Sequence, residues 1–306
     1  MTRNLDQAII RSLAYAHFFH SPLTLARLHR FLITPTPVGH TLLSRRLTQL
    51  CHRHLINLRP PLYCLPSFDP QLSKDYKNRL LQVPSYLQSA HRLARFLSLV
   101  PSVRLVCLTG SVAACNPKVG DDLDFMIVTS PHTLWLTRLV INPFFTLFFH
   151  LRKPRQRHTT PSTTCLNLWL DSDNLLIPRS RQSLYAAYEL AQAIPLLDRH
   201  HTHKHLIAIN TPWASKFLAN AFESSKNIKK INPPPATEEK LSPSPAKGRA
   251  GERFIKLINT FAFKLQYLYM KPKMTSEYVT LHQAFFHPYT PLAKINAYLS
   301  NLKSKI

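Results

Sequence analysis

Acidic residues are scarce in this 306-residue chain, where 15 Asp and Glu stand against 39 Lys and Arg for a formal charge of +24. Such an excess favours polyanionic partners: nucleic acid, a nucleoside triphosphate or an acidic membrane surface. The basic residues are spread along the chain, so a general compositional bias accounts for the excess equally well. Glycine is scarcer still, at five residues. The five cysteines (Cys51, Cys64, Cys107, Cys115, Cys165) form no CxxC pair. That excludes the usual metal–thiolate spacing and reads as reduced, buried thiols in a cytoplasmic protein. No uninterrupted apolar run approaches the roughly 20 residues that a membrane span needs. The most apolar stretch, residues 134–151, is broken by Arg138, Asn142 and Pro143. It is expected to form a buried helix, kinked or restarted at Pro143, with no membrane partner. The N-terminus lacks the apolar core and small-residue cleavage site of a secretory signal. No internal repeat is visible.

The two scarce residue types converge. Asp121, Asp122 and Asp124 fall within four positions, and Gly110 and Gly120 bracket the approach to them.

The chain divides by composition and periodicity. Residues 1–68 read as a winged-helix-like unit. Ile9, Ile10, Leu13, Ala14 and His17 recur at helical spacing, a second helix opens at Ser21-Pro22, and a third runs from Thr41 to His52. Two short apolar runs then flank Arg59-Pro60-Pro61 as a β-ribbon. On the third helix Arg45 and Arg46, with Arg53 after it, face outward and could meet DNA phosphates. Residues 69–179 read as a small mixed-sheet core. After a linking helix, Val103–Thr109, Leu123–Thr129 and Cys165–Leu170 form buried strands, and residues 171–174 (DSDN) a turn. A helical extension is expected over 180–226. A Pro/Ser/Lys-rich linker spans 227–253, and C-terminal helices fill 254–306. The fold class is therefore α+β. The basic loop with Arg152, Lys153, Arg155 and Arg157 and the histidines His200, His201, His203 and His205 read as exposed loops, and Phe286-His287-Pro288 as a packed turn.

Residues 109–128, TGSVAACNPKVGDDLDFMIV, carry the chemistry. Gly110 lets backbone approach a phosphate without a Cβ in the way, and Ser111 adds a hydroxyl. On an extended strand Asp122 and Asp124 point to one face and Leu123 to the other. Two hard oxygen ligands on one edge suit Mg²⁺. This pattern of strand, Gly-Ser, ten-residue gap, Asp-x-Asp and apolar strand resembles the signature of the DNA polymerase β-like nucleotidyltransferase superfamily.

The wider layout resembles a bacterial nucleotidyltransferase-domain family with an N-terminal winged-helix-like region. The residues that carry it are Leu13-Ala-Tyr15, Ser21-Pro-Leu-Thr24, Leu134-Trp-Leu-Thr-Arg138, Cys165-Leu-Asn167 and Tyr185-Ala-Ala-Tyr-Glu-Leu-Ala191. The resemblance implies Mg²⁺-dependent transfer of a nucleoside monophosphate from an NTP, ATP first among them, to a hydroxyl acceptor with release of pyrophosphate. It implies Gly110 and Ser111 at the triphosphate and Asp122 and Asp124 at the metal. It also implies a third carboxylate on a later strand, for which Asp171 is the candidate, although Asn167 occupies that strand and would leave the acid missing. Arg138, early in the following helix, is the candidate for a further phosphate contact. Cys115 stands where the superfamily often has glycine. The alternative expectation is a winged-helix nucleic-acid-binding protein whose transferase core is inactive or senses nucleotide.

Overall fold

The computed structural model describes residues 2–148, 163–223, 245–286 and 290–303. The fold is α+β, with a small helical unit leading into a sheet covered on both faces.

The N-terminal unit holds three helices, α1 (Thr2–Phe18), α2 (Leu25–Arg30) and α3 (His40–His52). Thr24 starts α2 by accepting a hydrogen bond from the Arg27 backbone N–H at 3.3 Å, the usual role of a threonine N-cap. Short strands β1 (Leu23–Thr24), β2 (Asn57–Arg59) and β3 (Leu62–Cys64) pair antiparallel in the order β1-β3-β2. The expected ribbon around Pro60-Pro61 is therefore present, and Leu23–Thr24 adds a third strand to it. The second helix thus opens at Leu25 behind its Thr24 cap rather than at Ser21-Pro22 as expected. Leu43, Leu47 and Leu50 of α3 are buried, while Arg45 and Arg53 are exposed. Arg46 departs from the expectation of an outward phosphate contact, because its guanidinium is bonded to the Asp6 carboxylate and to Gln49 Oε1.

Helix α4 (Pro70–Leu97) is capped by Asp69, which accepts from the Gln71 N–H at 2.9 Å, and has proline in its first turn, a position where its missing N–H costs nothing. It leads to β4 (Val103–Thr109), β5 (Leu123–Thr129) and β6 (Thr164–Asp171). With β7 (Ile194–Asp198), β8 (Tyr278–Val279) and β9 (Gln283–Phe285) they form one sheet of order β7-β4-β5-β6-β9-β8. Only β5 and β6 run parallel. Both faces of β5 are buried, so its apolar residues run continuously rather than alternating.

On one face lie α4, the single-turn α5 (Gly110–Ala113), α6 (Leu134–Phe148) and α9 (Pro245–Met270), joined through Leu97, Val112, Ile127, Trp135 and Ala262. On the other lie the N-terminal unit, α7 (Leu184–Gln192), α8 (Thr202–Ala214) and α10 (Thr290–Lys303). Met126, Val128, Leu47, Tyr188, Leu206 and Ile295 share that second core.

Three expectations are corrected. Residues after Ser180 are not purely helical. β7 is a half-exposed edge strand containing Pro195, tolerated there because an edge leaves an N–H unneeded, and it shows no strand alternation to read. The C-terminal region contains the β8–β9 hairpin, whose strands of two and three residues are too short to show a period. Helix α9 begins at Pro245 rather than at Phe254, within the segment read as a linker. The rest of that linker before Pro245, the basic residues Arg152, Lys153, Arg155 and Arg157, and the Phe286-His287-Pro288 turn beyond Phe286 lie outside the described residues. No helix among the described residues is long and apolar enough to cross a membrane. Helix α6 continues through Pro143 without a restart and is buried on one side only, with Leu139, Val140, Phe144 and Leu147 exposed.

Helix α9 docks through polar groups. Asn259 Oδ1 accepts from the Trp135 N–H at 2.8 Å and the Leu136 N–H at 3.3 Å, satisfying donors that a first helical turn cannot pair internally. Asn259 is 1% exposed, so no solvent replaces it. Asn259→Leu should lower the unfolding free energy by about 1–3 kcal/mol, the cost of orphaning buried donors, measured by urea denaturation. An exposed substitution on the same helix, Phe261→Ala, should change it by roughly 0.5 kcal/mol or less.

Candidate functional site

Strand β4 ends at Thr109, which pairs with Asp124 of β5, and the chain turns sharply into α5 at Gly110. Two constraints meet there. Gly110 has φ of +68°, and a Cβ built on it would lie 2.2 Å from Asp124 Oδ2. Glycine is required both by the left-handed backbone and by the carboxylate that fills the space of the missing side chain. The Asp124 carboxylate is thus held against the turn between β4 and α5, and Asp124 is only 8% exposed.

The loop between α5 and β5 is closed by Asp121. Its Oδ2 accepts from Ser111 Oγ at 2.7 Å and from the Lys118 N–H at 2.8 Å. Asn116 anchors the same loop to the N-terminal unit by donating from Nδ2 to the Phe19 carbonyl at 2.8 Å. Asn116 is 8% exposed, and its Oδ1 is buried with no partner. Cys115 takes φ of +53° in this loop, the left-handed region that glycine tolerates best.

Asp122 is half-buried beside Asp124. Carboxylate oxygens of the two, with Cys165 Sγ, lie within 4.8 Å of one another. Cys165 faces Asp124 in the parallel β5–β6 register. The register then shifts between Phe125 and Met126, and the extra residue this admits on β6 is Asn167. Asn167 Nδ2 donates to Asp124 Oδ1 at 2.9 Å.

A fourth acid enters from outside the sheet. The Gly110 N–H donates to Glu189 Oε2 of α7 at 3.4 Å, the long end of a hydrogen bond. Glu189 and burial push the Tyr185 hydroxyl well above its ordinary pKa, with Asp124 adding to the effect, and Tyr185 bonds to Glu189.

Gly110, Ser111, Asn116, the acids and Tyr185 line a cleft of about 300 Å³ between the sheet, α7 and the N-terminal unit. Four of the chain's 15 acids (Asp121, Asp122, Asp124, Glu189) line it with one cation, Arg27. Arg27 donates from Nη2 to the Ala114 carbonyl at 2.6 Å and from Nη1 to Tyr76 Oη at 3.3 Å, while its Nε is buried and unpartnered. Tyr15 and Tyr188 form the far wall as stacked rings with centroids 4.1 Å apart.

No family model, no curated protein and no solved structure matches this chain. The site therefore rests on its own geometry.

The structure places Gly110, Ser111, Asp122 and Asp124 in one cleft. It does not bring Asp171 to them. Asp171 pairs with Thr129 at the other end of β6, six positions beyond Cys165, or about 20 Å along an extended strand. The position beside Asp124 belongs to Asn167, so this strand supplies an amide where a third acid was expected.

Arg138 also lies elsewhere. It sits on the opposite sheet face over the Trp135 and Phe286 rings, at 5.6 and 4.5 Å, and donates from Nη1 to Gln266 Oε1 at 2.7 Å. Burial lowers its pKa to about 10. Its role is to fasten α6 to α9, and its reach to a phosphate is excluded by the intervening sheet. His200 and His201 take left-handed φ values at the start of α8, and His203 is half-buried.

Arg27, Asn116, Glu189, Tyr185 and Cys165 were not singled out for this site by sequence. A signal existed for two of them, since Glu189 is one of few acids and sits with Tyr185 in the Tyr185–Ala191 motif. Arg27 and Asn116 join only through tertiary packing. The odd cysteines are all free, and Cys165 stands beside the acids despite the lack of any metal–thiolate spacing.

The Gly110–Asp124 contact makes a non-additive pair. Gly110→Ala should lower the unfolding free energy by about 2 kcal/mol, from a left-handed alanine plus displacement of the carboxylate. In Gly110→Ala/Asp124→Gly the clash is removed, and the summed single costs should exceed the double cost by about 0.5–3 kcal/mol, read from urea unfolding of all three variants.

Proposed function

We propose that the chain is a Mg²⁺-dependent nucleotidyltransferase that transfers a nucleoside monophosphate from an NTP to a hydroxyl acceptor. One observation carries the reading. In a chain of net charge +24, four of 15 acids are gathered in one cleft against the Gly110–Ser111 turn. Oxygens of Asp122 and Asp124 lie within 4.8 Å of each other. Like charges that close together repel, and a divalent cation bound between them would offset that repulsion.

The two carboxylates fit Mg²⁺, because Asp122 and Asp124 offer hard oxygens on one edge, which Mg²⁺ prefers to the neighbouring Cys165 sulfur. Bound there, the metal would draw the triphosphate to the cleft and offset charge on the leaving pyrophosphate. Asn167 holds one oxygen of Asp124 and so orients the other. The Gly110 amide, held weakly by Glu189, is the donor that exchanges this long bond for a phosphate oxygen. Arg27 lines the same cleft and supplies its positive charge, and the Tyr15 and Tyr188 rings, stacked on each other, close one side with apolar ring edges.

Glu189 takes the role of general base for the acceptor hydroxyl, in place of the acid that β6 lacks. It is the carboxylate outside the metal pair that reaches the Gly110 N–H, whereas Asp121 is occupied by Ser111 and the Lys118 N–H. A carboxylate within reach of the acceptor hydroxyl can serve as base. On this reading the N-terminal winged-helix-like unit is a wall of the active site rather than a separate module. Its Tyr15 and Arg27 line the cleft, and its Phe19 and Phe31 carbonyls accept bonds from Asn116 and Tyr188.

The second reading is a nucleic-acid-binding module. It is favoured by the exposed Arg45 and Arg53 and weakened by the pairing of Arg46 with Asp6.

Calorimetric titration with each NTP and Mg²⁺ tests the reading. Wild type should bind at least one NTP only with the metal present, and Asp122→Ala/Asp124→Ala should abolish this. Glu189→Gln should bind the same NTP at least as tightly, having lost an anion beside the triphosphate, while pyrophosphate release falls by about 100-fold or more. Absence of binding to every NTP by well-folded wild type would sink the transferase reading in favour of the nucleic-acid module.

A further inference from the structure

Asp171, displaced from the cleft, lies in a second constellation. It is fully buried at 0% exposure, at the end of β6 where the β5–α6 loop and the β8–β9 turn converge. Its Oδ2 accepts from the His132 backbone N–H at 2.8 Å and its Oδ1 from the Asp173 N–H at 3.1 Å. The His282 imidazole approaches the same Oδ2 with Nδ1 at 3.3 Å. His132 and His282 face each other with ring centroids 5.8 Å apart. One ligand atom from each of His132, Asp171 and His282 lies within 4.8 Å of the other two.

Three features exceed what a hydrogen-bonded triad needs. His132 Nδ1 is buried with no partner, a cost that proteins rarely leave unmet. The 3.3 Å between His282 Nδ1 and Asp171 Oδ2 is long for a charge-assisted hydrogen bond, usually about 2.7–2.9 Å. It matches the separation of two ligands around one tetrahedral ion, since ligands at about 2.0–2.1 Å from zinc stand about 3.3–3.4 Å apart. Finally, His132 holds φ of +57°, a left-handed conformation that a non-glycine residue adopts at some cost and that aims this ring into the gap beside Asp171.

We infer that His132, Asp171 and His282 form a site for a divalent transition-metal ion, zinc first among them. Two imidazoles and one carboxylate suit zinc with a fourth position for water. The ion would neutralise a fully buried carboxylate and staple three segments far apart in sequence: the loop before α6, the end of β6 and the β8–β9 turn. The site is independent of the nucleotide cleft, which lies toward the other end of β6.

The test uses the full chain, stripped with chelator and then titrated with Zn²⁺ against a chromophoric competitor. Wild type should take up one tight equivalent, and its unfolding temperature should rise with the metal. His282→Ala and His132→Asn should each weaken the binding by about 100-fold or more, above the usual effect of losing a group that only orients a ligand. They should also lose the thermal shift. Asparagine is chosen at residue 132 because it tolerates the left-handed backbone, and far-UV circular dichroism would confirm that both variants fold. Asp122→Ala/Asp124→Ala should keep the tight equivalent. Co²⁺ in place of Zn²⁺ should give visible bands that His282→Ala lacks. The inference is overturned if wild type shows no tight equivalent, if the histidine variants bind zinc as wild type does, or if the equivalent is lost with Asp122 and Asp124 instead.

Discussion

The Asp124 carboxylate occupies the space that a side chain at residue 110 would fill, and much of the central architecture is tied to that contact. It ties the end of β4 to the start of β5, where Thr109 and Asp124 are paired. It demands a glycine at a left-handed turn in a chain with only five. Asn167, admitted by the register shift between β5 and β6, then completes the fixation from the neighbouring strand. A carboxylate so held has lost little further freedom to lose on binding, and such preorganisation makes a charged site effective toward a cation or a phosphate.

Around that contact the chain places opposite charges at different ranges. Its overall field is strongly positive and attracts anions over a distance set by the salt. Its cleft is locally negative and in the proposed function accepts the triphosphate only with a divalent cation. The N-terminal unit shapes this cleft as much as the sheet does, contributing Arg27 and one of the two stacked tyrosines. Bonds from Asn116, Arg30 and Tyr188 cross the same boundary. A unit that looks separable by its own helices and ribbon is therefore integral to the site.

Strand β6 links two distant polar centres. Near its start Cys165 and Asn167 meet the acidic pair, and at its end Asp171 meets two histidines. The apolar residues between them (Leu168, Trp169 and Leu170) pack into the cores on both faces. The opposite sheet face is closed by α6 and α9, whose contacts include buried amide pairs from Asn259 and Gln266. Those pairs specify how α9 lies, because an apolar contact alone tolerates sliding whereas an unpaired buried amide is costly.

Local pattern in the sequence determined the three N-terminal helices, the ribbon at Pro60-Pro61, the three central strands and the cluster of Gly110, Ser111, Asp122 and Asp124. Each is written in short-range terms: helical spacing of leucines, a β-branched run, a glycine before a hydroxyl, two acids one residue apart on a strand. Only the tertiary structure decided the rest of the cleft. Arg27, Asn116 and Glu189 come from segments 73 to 162 positions apart, and no local period marks a residue whose partner lies on another element. The same limit governs Asp171, expected as the third carboxylate from a later strand, and Arg138, expected from its place early in the following helix. A one-residue shift in the pairing of β5 with β6 put Asn167 beside Asp124, while strand length carried Asp171 away and the sheet itself came between Arg138 and the acids. Register and sidedness belong to the packed sheet, because they follow from which strands are neighbours, and a strand's own residues do not encode that.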